Sequence, residues 1–248
     1  MRDNLLLLSG WGATCKVWDP IIPALEQRCQ VKCVAPPWIQ QDEPKLTLAE
    51  LEHYVDQLSL SLMNQRTRLV AWSLGGLIAI HIARKYSDLI DQIIFIASAP
   101  QFVASDNFPY AIDEIWLENF INEFNRNPQV TWTKFIALQA KDDKFKMDTI
   151  RFLKGNCQFD QLDLKESLLG LKLLQEQKLM NDMQNLACKM AFIHGEKDAV
   201  LSFRAAQQAA ASAECEFQMI KNAGHAPHIS HPELTARLIQ DFLNDESI

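Results

Sequence analysis

Ser73 stands where an apolar, strand-like run passes directly into a helix-like one, in Val70-Ala71-Trp72-Ser73-Leu74-Gly75-Gly76. A tight strand-to-helix turn lifts a serine hydroxyl clear of a sheet, and it requires small residues two before and two after the serine. Ala71 and Gly75 hold those positions, with Ala71 replacing the usual glycine. The pattern predicts that Ser73 is a nucleophile. The alternative is a buried serine at an ordinary strand–helix junction.

His225 is the predicted base for this nucleophile. A serine hydroxyl is a weak nucleophile until a neighbouring base takes its proton, so a histidine must reach it. His225 lies between the last predicted strand and the last predicted helix, where the chain order Ser…Asp…His places the base. His228 and His231 are close rivals. Two prolines keep the three histidines off one regular helix, and no carboxylate or cysteine lies among them, so we expect no metal site.

Asp198 is the predicted partner of the base. It follows the strand-like run Ala191–Gly195 by three residues. A carboxylate there would hold the imidazole in the correct tautomer and stabilise its charged form. Glu196 is the local rival, and a plain surface turn is the alternative for both. The three candidates follow predicted strands, and ligands of open α/β sheets bind at the carboxyl edge of the strands.

Two backbone amides complete the predicted chemistry, because acyl transfer needs donors for a tetrahedral oxyanion. The N–H of Leu74, directly after the nucleophile, is one candidate. The turn Ser9-Gly10-Trp11-Gly12 after the first predicted strand offers the N–H of Trp11 as the other. The alternative is a tight turn with a packed tryptophan.

The elements that must position these groups form an alternating pattern. Short apolar runs alternate with longer amphipathic stretches, which indicates an α/β fold with a mostly parallel sheet and helices on both faces. The predicted strands are Leu5–Leu8, Val31–Ala35, Arg68–Ala71, Gln92–Ala97, Lys189–His194 and Glu216–Ile220. The predicted helices are Val17–Arg28, Thr47–Met63, Leu74–Tyr86, Arg204–Ala211 and Pro232–Leu243.

The alternation stops between residues 101 and 182, where only helical patterns rich in Phe, Leu and Trp occur. We therefore expect a core formed by residues 1–100 and 183–248 and a helical lid inserted at 101–182. The predicted lid helices are Ile112–Asn125, Trp132–Leu138, Met147–Leu153 and Leu162–Gln175.

Composition narrows the class of protein. The net charge of −7 argues against a nucleic-acid binder, which usually carries a basic footprint. No apolar stretch approaches the roughly 18 residues that span a membrane, so we expect no membrane association. The six cysteines match no metal-binding spacing, and we interpret them as buried, reduced thiols of a cytoplasmic protein.

Several stretches make the chain similar to a known family. They are Gly10-Trp11-Gly12, Trp72–Leu77, Ile96–Pro100, Phe135–Gln139 and Ala223–Pro232. The whole chain resembles an α/β-hydrolase, and more narrowly the pimeloyl-[acyl-carrier protein] methyl ester esterases of biotin synthesis. It departs from that family at Ser9, where a histidine is frequent, and at Ala35-Pro36-Pro37-Trp38, which replaces an Asp-x-Pro-Gly loop. We also expect no N-terminal hairpin ahead of Leu5.

The resemblance implies catalysis by Ser73, Asp198 and His225, with the N–H groups of Trp11 and Leu74 as oxyanion donors. It also implies a set of acyl-contacting residues, namely Trp11, Ser73, Leu74, Phe135, Ile136, Ala137, Leu138, Gln139 and His225. The implied reaction cleaves the methyl ester of a pimeloyl chain tethered to acyl-carrier protein, and small esters are further substrates. No metal or organic cofactor is implied.

A basic stretch in the predicted lid agrees with an acidic carrier protein as partner. Residues 130–155 hold six cationic and three anionic side chains, whereas the whole chain is acidic. Such a patch would steer an acidic partner, although a solvated helix face is the commoner reason for such charges. The candidate docking residues are Lys134, Lys146, Arg151 and Lys154.

Two other classes of function remain open. A general short-chain esterase, a thioesterase or a C–C bond hydrolase would use the same scaffold, and chain-length preference and dependence on the carrier would separate them. Enzymes with an aspartate nucleophile are disfavoured because Ser73 holds that place. A binding module that lost the chemistry is the second alternative, and failure of a serine-reactive phosphonate to label Ser73 would favour it.

Overall fold

The computed structural model describes residues 3–35, 55–56, 65–157, 159 and 164–244. In this part of the chain six strands form one sheet in the order β2-β1-β3-β4-β5-β6, and every pair is parallel. The strands are β1 (Asp3–Leu8), β2 (Cys29–Val34), β3 (Thr67–Trp72), β4 (Ile90–Ile96), β5 (Lys189–Gly195) and β6 (Glu216–Ile220). The predicted parallel α/β sheet is therefore confirmed.

Helices cover both faces of this sheet. In β4 the side chains of Ile93, Ile94, Phe95 and Ile96 point alternately to the two faces, and all four are buried. Parallel strands buried on both faces show continuous apolar runs of this kind. Outside residues 101–182, the helices whose bounds lie within the described residues are α1 (Ile22–Leu25), α2 (Gly75–Lys85), α8 (Phe203–Ser212), α9 (Pro227–Ser230) and α10 (Pro232–Asn244).

Five α-helices lie between β4 and β5 in the part of this stretch that the structure describes. They are α3 (Glu114–Arg126), α4 (Pro128–Gln139), α5 (Lys146–Asn156), α6 (Leu164–Glu176) and α7 (Met180–Gln184). The carboxylate of Asp113 caps α3 by accepting from the N–H of Trp116 at 2.9 Å, and Pro128 fits the first turn of α4, where no N–H is required. We refer to α3–α6 as the helical segment.

The predicted helix Val17–Arg28 is wrong as a single element. The chain forms a 3₁₀ turn at Cys15–Trp18 and only the short α1 after it. Pro20 lies between them, and it lacks the N–H that an uninterrupted helix would need. The predicted helix Thr47–Met63 falls almost entirely outside the described residues.

The prediction of reduced thiols is also wrong for one pair, because Cys15 and Cys33 form a disulfide. Parallel pairing places Cys33 beside Leu7, so the turn that follows β1 returns over β2 and brings Cys15 to it. This proximity depends on strand pairing and leaves no spacing signal. Cys29, Cys157, Cys188 and Cys215 are free, and burial raises the pKa of the Cys157 thiol to about 11.

Candidate active site

Ser73 occupies a strained turn between β3 and α2. Its φ angle is 55°, in the left-handed region that non-glycine residues rarely adopt, and its N–H donates to the carbonyl of Ile96 at 2.9 Å. The turn lies so close to β1 that a Cβ on Gly75 would be 2.5 Å from the carbonyl oxygen of Leu8. The glycine is therefore a steric requirement for holding Ser73 in this position.

His225 lies between Ser73 and Asp198 in the structure. Its Nε2 is 3.0 Å from the Ser73 Oγ, and its Nδ1 is 2.7 Å from the Asp198 Oδ2. A neutral ring with hydrogen on Nδ1 donates to the carboxylate and leaves Nε2 free to accept the serine proton. The structure thus brings together the three side chains singled out in the sequence. The rival Glu196 lies on the surface instead, where it accepts from the N–H of Asn222 at 3.0 Å.

Four donors surround the carboxylate of Asp198. Its Oδ1 accepts from the N–H groups of Val200 and Leu201 at 2.8 and 2.9 Å. Its Oδ2 meets Nδ1 of His225, and also Nε2 of His194 at 2.9 Å. Burial alone would raise the pKa of this carboxyl, but His225, the hydrogen bond from His194 and the nearby ring charges hold it well below its usual range. Asp198 is therefore a fixed anion beside His225.

The contact between His194 and Asp198 was not predicted from the sequence. A signal existed, because His194 is the last residue but one of β5 and lies four residues before Asp198, and a strand end followed by a tight turn returns the later residue to the strand. The turn is tight enough that a Cβ on Gly195 would overlap the carbonyl of Gly224.

The loop that carries His225 is held from both sides. From the sheet, the indole N–H of Trp72 donates to the carbonyl of His225 at 2.8 Å. From the helical segment, the carbonyl of Gln139 accepts from the N–H of His225 at 2.8 Å, and the carboxylate of Asp143 accepts from the N–H of Gly224 at 2.6 Å. The position of the imidazole thus depends on the end of α4 as well as on β3.

Trp11 and Leu74 lie on the two turns that meet at Ser73. A Cβ on Gly10 would lie 3.0 Å from the Cβ of Ser73, so the turn after β1 runs directly beside Ser73. Among the described residues, the backbone N–H groups of Trp11 and Leu74 have no hydrogen-bond acceptor. Amides that are unpaired at this place are available to a developing oxyanion.

The ring of Trp11 is enclosed by aromatic side chains of the helical segment. Edge-to-face contacts of 5.0–5.8 Å between ring centroids join it to Phe120, Phe124, Trp132 and Phe135. Its indole N–H donates to the carbonyl of Ser167 at 2.7 Å. We refer to these five rings as the aromatic cluster. Of its members from the helical segment only Phe135 was predicted, because helical aromatics at this spacing are usual in any core.

The predicted acyl-contact stretch 135–139 has mixed surroundings. Phe135 belongs to the aromatic cluster and Ile136 is buried, whereas Ala137 is exposed and Leu138 is half-buried. Gln139 is buried, and its carbonyl accepts from the His225 N–H. Gln139 therefore contacts the loop that carries His225, and the sequence did not indicate this contact.

The four candidate docking residues Lys134, Lys146, Arg151 and Lys154 are all exposed on α4 and α5. Arg151 pairs with Asp148 at 2.7 Å, an exposed pair that contributes little to stability.

The two rival histidines have surroundings unlike those of His225. His228 is fully buried, with its ring 4.6 Å from that of Trp18 and 4.7 Å from that of Trp72, and burial lowers its pKa to about 3. His231 Nδ1 lies 2.8 Å from the Ser230 Oγ, and its ring contacts Phe145. Among the described residues, no group of three or more histidine, cysteine or carboxylate side chains is placed to hold a metal ion. No helix in this part of the chain is long and apolar enough to cross a membrane.

Comparison with known proteins adds three findings on sequence. A family model described as "Alpha/beta hydrolase family" matches residues 5–238. The chain is 30% identical to the pimeloyl-[acyl-carrier protein] methyl ester esterase of Edwardsiella ictaluri, over 100% of this chain and 95% of that protein. It is also 30% identical to the biotin biosynthesis bifunctional protein BioHC of Teredinibacter turnerae, over 99% of this chain but 45% of that protein.

Solved structures show the same fold at lower identity. A bromoperoxidase from Bacillus anthracis has a TM-score of 0.83 and 19% identity, over 99% of this chain and 93% of that one. An esterase from Exiguobacterium antarcticum also has a TM-score of 0.83, with 15% identity over 98% and 92%.

Proposed function

The chain belongs to the alpha/beta hydrolase family, and from that premise we propose that it is a serine carboxylesterase that acts on pimeloyl-[acyl-carrier protein] methyl ester. The observation that supports the chemistry most is the position of His225, within hydrogen-bond distance of Ser73 on one side and Asp198 on the other. The substrate is suggested by the names of relatives about 30% identical to the chain.

In the proposed mechanism His225 takes the proton of Ser73 as its Oγ attacks the ester carbonyl carbon. The N–H groups of Trp11 and Leu74 stabilise the oxyanion of the tetrahedral intermediate. His225 then gives the proton to the methoxy group, which leaves as methanol and forms an acyl-enzyme. The same ring then deprotonates a water molecule, which attacks the acyl carbon. The bond to Oγ breaks, the ring returns the proton to Oγ, and the free carboxylate leaves as Ser73 is restored. Asp198 stays ionised and stabilises the imidazolium in both half-reactions.

Substrate selection is the proposed role of the helical segment, which would act as a lid over Ser73. The aromatic cluster extends from Trp11 into this segment and offers an apolar wall to the methylene chain. Apolar contacts discriminate weakly, at about 1–3 kcal/mol per methylene, so short free esters should also react. The exposed cations Lys134, Lys146 and Lys154 would meet the acidic carrier protein.

The test compares the tethered substrate with free esters. We expect the protein to hydrolyse pimeloyl-[acyl-carrier protein] methyl ester with a higher kcat/KM than dimethyl pimelate or a p-nitrophenyl ester of butyrate. Ser73→Ala should abolish all three activities, whereas the control Ser212→Ala, at the exposed end of α8, should abolish none. If the wild type hydrolysed only the free esters, it would be a general esterase. If it hydrolysed none of the three, the binding module would be the remaining interpretation.

A further inference from the structure

His194 makes an unusual second imidazole contact with the carboxylate beside the base. Its Nε2 lies 2.9 Å from the Asp198 Oδ2, the same oxygen that Nδ1 of His225 approaches at 2.7 Å. The three side chains are fully buried. Two imidazoles therefore share one carboxylate oxygen out of contact with solvent.

The hydrogen-bond partners fix the tautomer of His194. Its Nε2 faces two acceptors, the Asp198 carboxylate and the carbonyl of Leu201 at 2.9 Å. Neither of these groups can donate, so Nε2 carries the hydrogen. Its Nδ1 is buried and has no partner in the described part of the chain, and a hydrogen there would be an unpaired buried donor. The hydrogen on Nε2 is thus bonded to the Leu201 carbonyl, and it also lies close to the Asp198 Oδ2.

We infer that His194 is a positioning residue that sets the basicity of His225 through Asp198. The partial positive charge of its Nε2–H lies next to the oxygen that stabilises the His225 imidazolium, where it offsets part of the negative charge of that oxygen and holds it in place. Without His194 the carboxylate would stabilise the imidazolium more strongly. His225 would then remain charged, and unable to accept the serine proton, up to a higher pH.

Other ionisable side chains approach this cluster from the neighbouring elements. From the helical segment, the buried carboxylate of Asp143 accepts from the N–H of Gly224, directly before His225. From α9, the titratable side chain of His228 lies near His225. Its pKa of about 3 keeps it neutral over the pH range of the activity profile. Ser73 faces His225 from the strained turn between β3 and α2, which we call the elbow. Among the described residues, no Lys, Arg, Glu or second Asp forms an ion pair with Asp198 or either ring.

Two substitutions separate positioning from packing. His194→Leu fills a similar volume with an apolar side chain and removes the N–H donor. His194→Gln instead places an amide N–H near the position of Nε2. With a p-nitrophenyl ester, we expect His194→Leu to move the acid limb of the kcat/KM profile to higher pH by about 0.5–1 unit. The plateau of kcat should also fall about tenfold, with little change in KM, because Asp198 is no longer held in place and orients His225 less well. His194→Gln should return the limb toward the wild-type position.

A purely structural role predicts a different pattern. Activity would fall equally at every pH, the acid limb would stay in place, and Gln would be no better than Leu; that result would overturn the inference. The inference rests on the proposed hydrolysis, so a second readout avoids turnover. The low-field NMR signal of the His225 Nδ1 proton should change with pH at a higher midpoint in His194→Leu than in the wild type. An inactive wild type with this shift present would reject the proposed function alone, and an active one without it would reject the inference alone.

Discussion

The edge of the sheet around Ser73 and the helical segment above it are built on different physical terms. At the sheet edge, each group is fixed by polar contacts of defined geometry, such as the four donors on Asp198 and the strained φ of Ser73. In the helical segment, the contacts that face the site are mostly aromatic rings around Trp11, and apolar side chains such as Ile115 and Met147 remain exposed.

This difference predicts that substitutions in the two regions have different effects on activity. A hydrogen bond in a buried site tolerates little change in geometry, because a buried donor or acceptor that loses its partner destabilises the protein by about 1–3 kcal/mol. Ring contacts are less directional, and a substitution among them is partly compensated by repacking. We therefore expect changes at the sheet edge to reduce the rate for every substrate, and changes in the helical segment to alter which substrate is preferred.

The largest expected contrast comes from the same substitution in each region. Gly75→Ala would place a Cβ 2.5 Å from the Leu8 carbonyl oxygen, whereas a Cβ on Gly155, in α5, meets nothing within 4 Å. We expect Gly75→Ala to destabilise the protein by about 1–3 kcal/mol or more and to lose most activity, because β1 and the elbow must separate. Gly155→Ala should gain about 0.5–1 kcal/mol from helix propensity and keep its activity.

Urea unfolding, followed by circular dichroism, measures both changes, and ester hydrolysis below the transition measures activity. Equal stability of the two variants would mean that the elbow relaxes as readily as the surface helix. The contrast between the two regions would then be wrong.

Sequence analysis recovered the sheet edge better than the helical segment, and the reason is physical. The elbow around Ser73 requires small residues at fixed offsets, and parallel strands bring their carboxyl ends to one edge, so local pattern and topology together indicated Ser73, Asp198 and His225. The aromatic cluster leaves no such trace, because Phe120, for example, has the spacing of any core residue. The contact of His194 also depends on how the turn after β5 folds back.

Asp143 joins the two regions, and its substitution should have an intermediate effect. Its Oδ1 accepts from the N–H of Phe145 at 2.7 Å and its Oδ2 from that of Gly224 at 2.6 Å. An asparagine has one oxygen and would turn its NH₂ toward one of these donors. We expect Asp143→Asn to lower kcat/KM about tenfold for free and tethered esters alike, because the loop of His225 loses an anchor.

The neighbouring Asp142→Asn is the matched control, since Asp142 is exposed and has a φ of 60° that asparagine accepts well. Steady-state kinetics on both substrates check the prediction. If kcat/KM fell only for the tethered ester, Asp143 would act in recognition of the carrier protein. The claim that it supports the loop of His225 would then be wrong.

The smallest effect is expected from charges that belong to the helical segment alone. Lys146→Glu with Lys154→Glu reverses two cations that are exposed on α5. Attraction between these cations and the acidic carrier protein speeds the association of the two proteins and is screened by salt. The KM for the carrier-bound ester should therefore rise several-fold at low salt and little at high salt. The KM for free esters should not change. Lys16→Glu with Lys221→Glu makes the same change in net charge at exposed sites outside the segment. An equal rise in KM for this pair would trace the effect to net charge and leave the segment without a docking role.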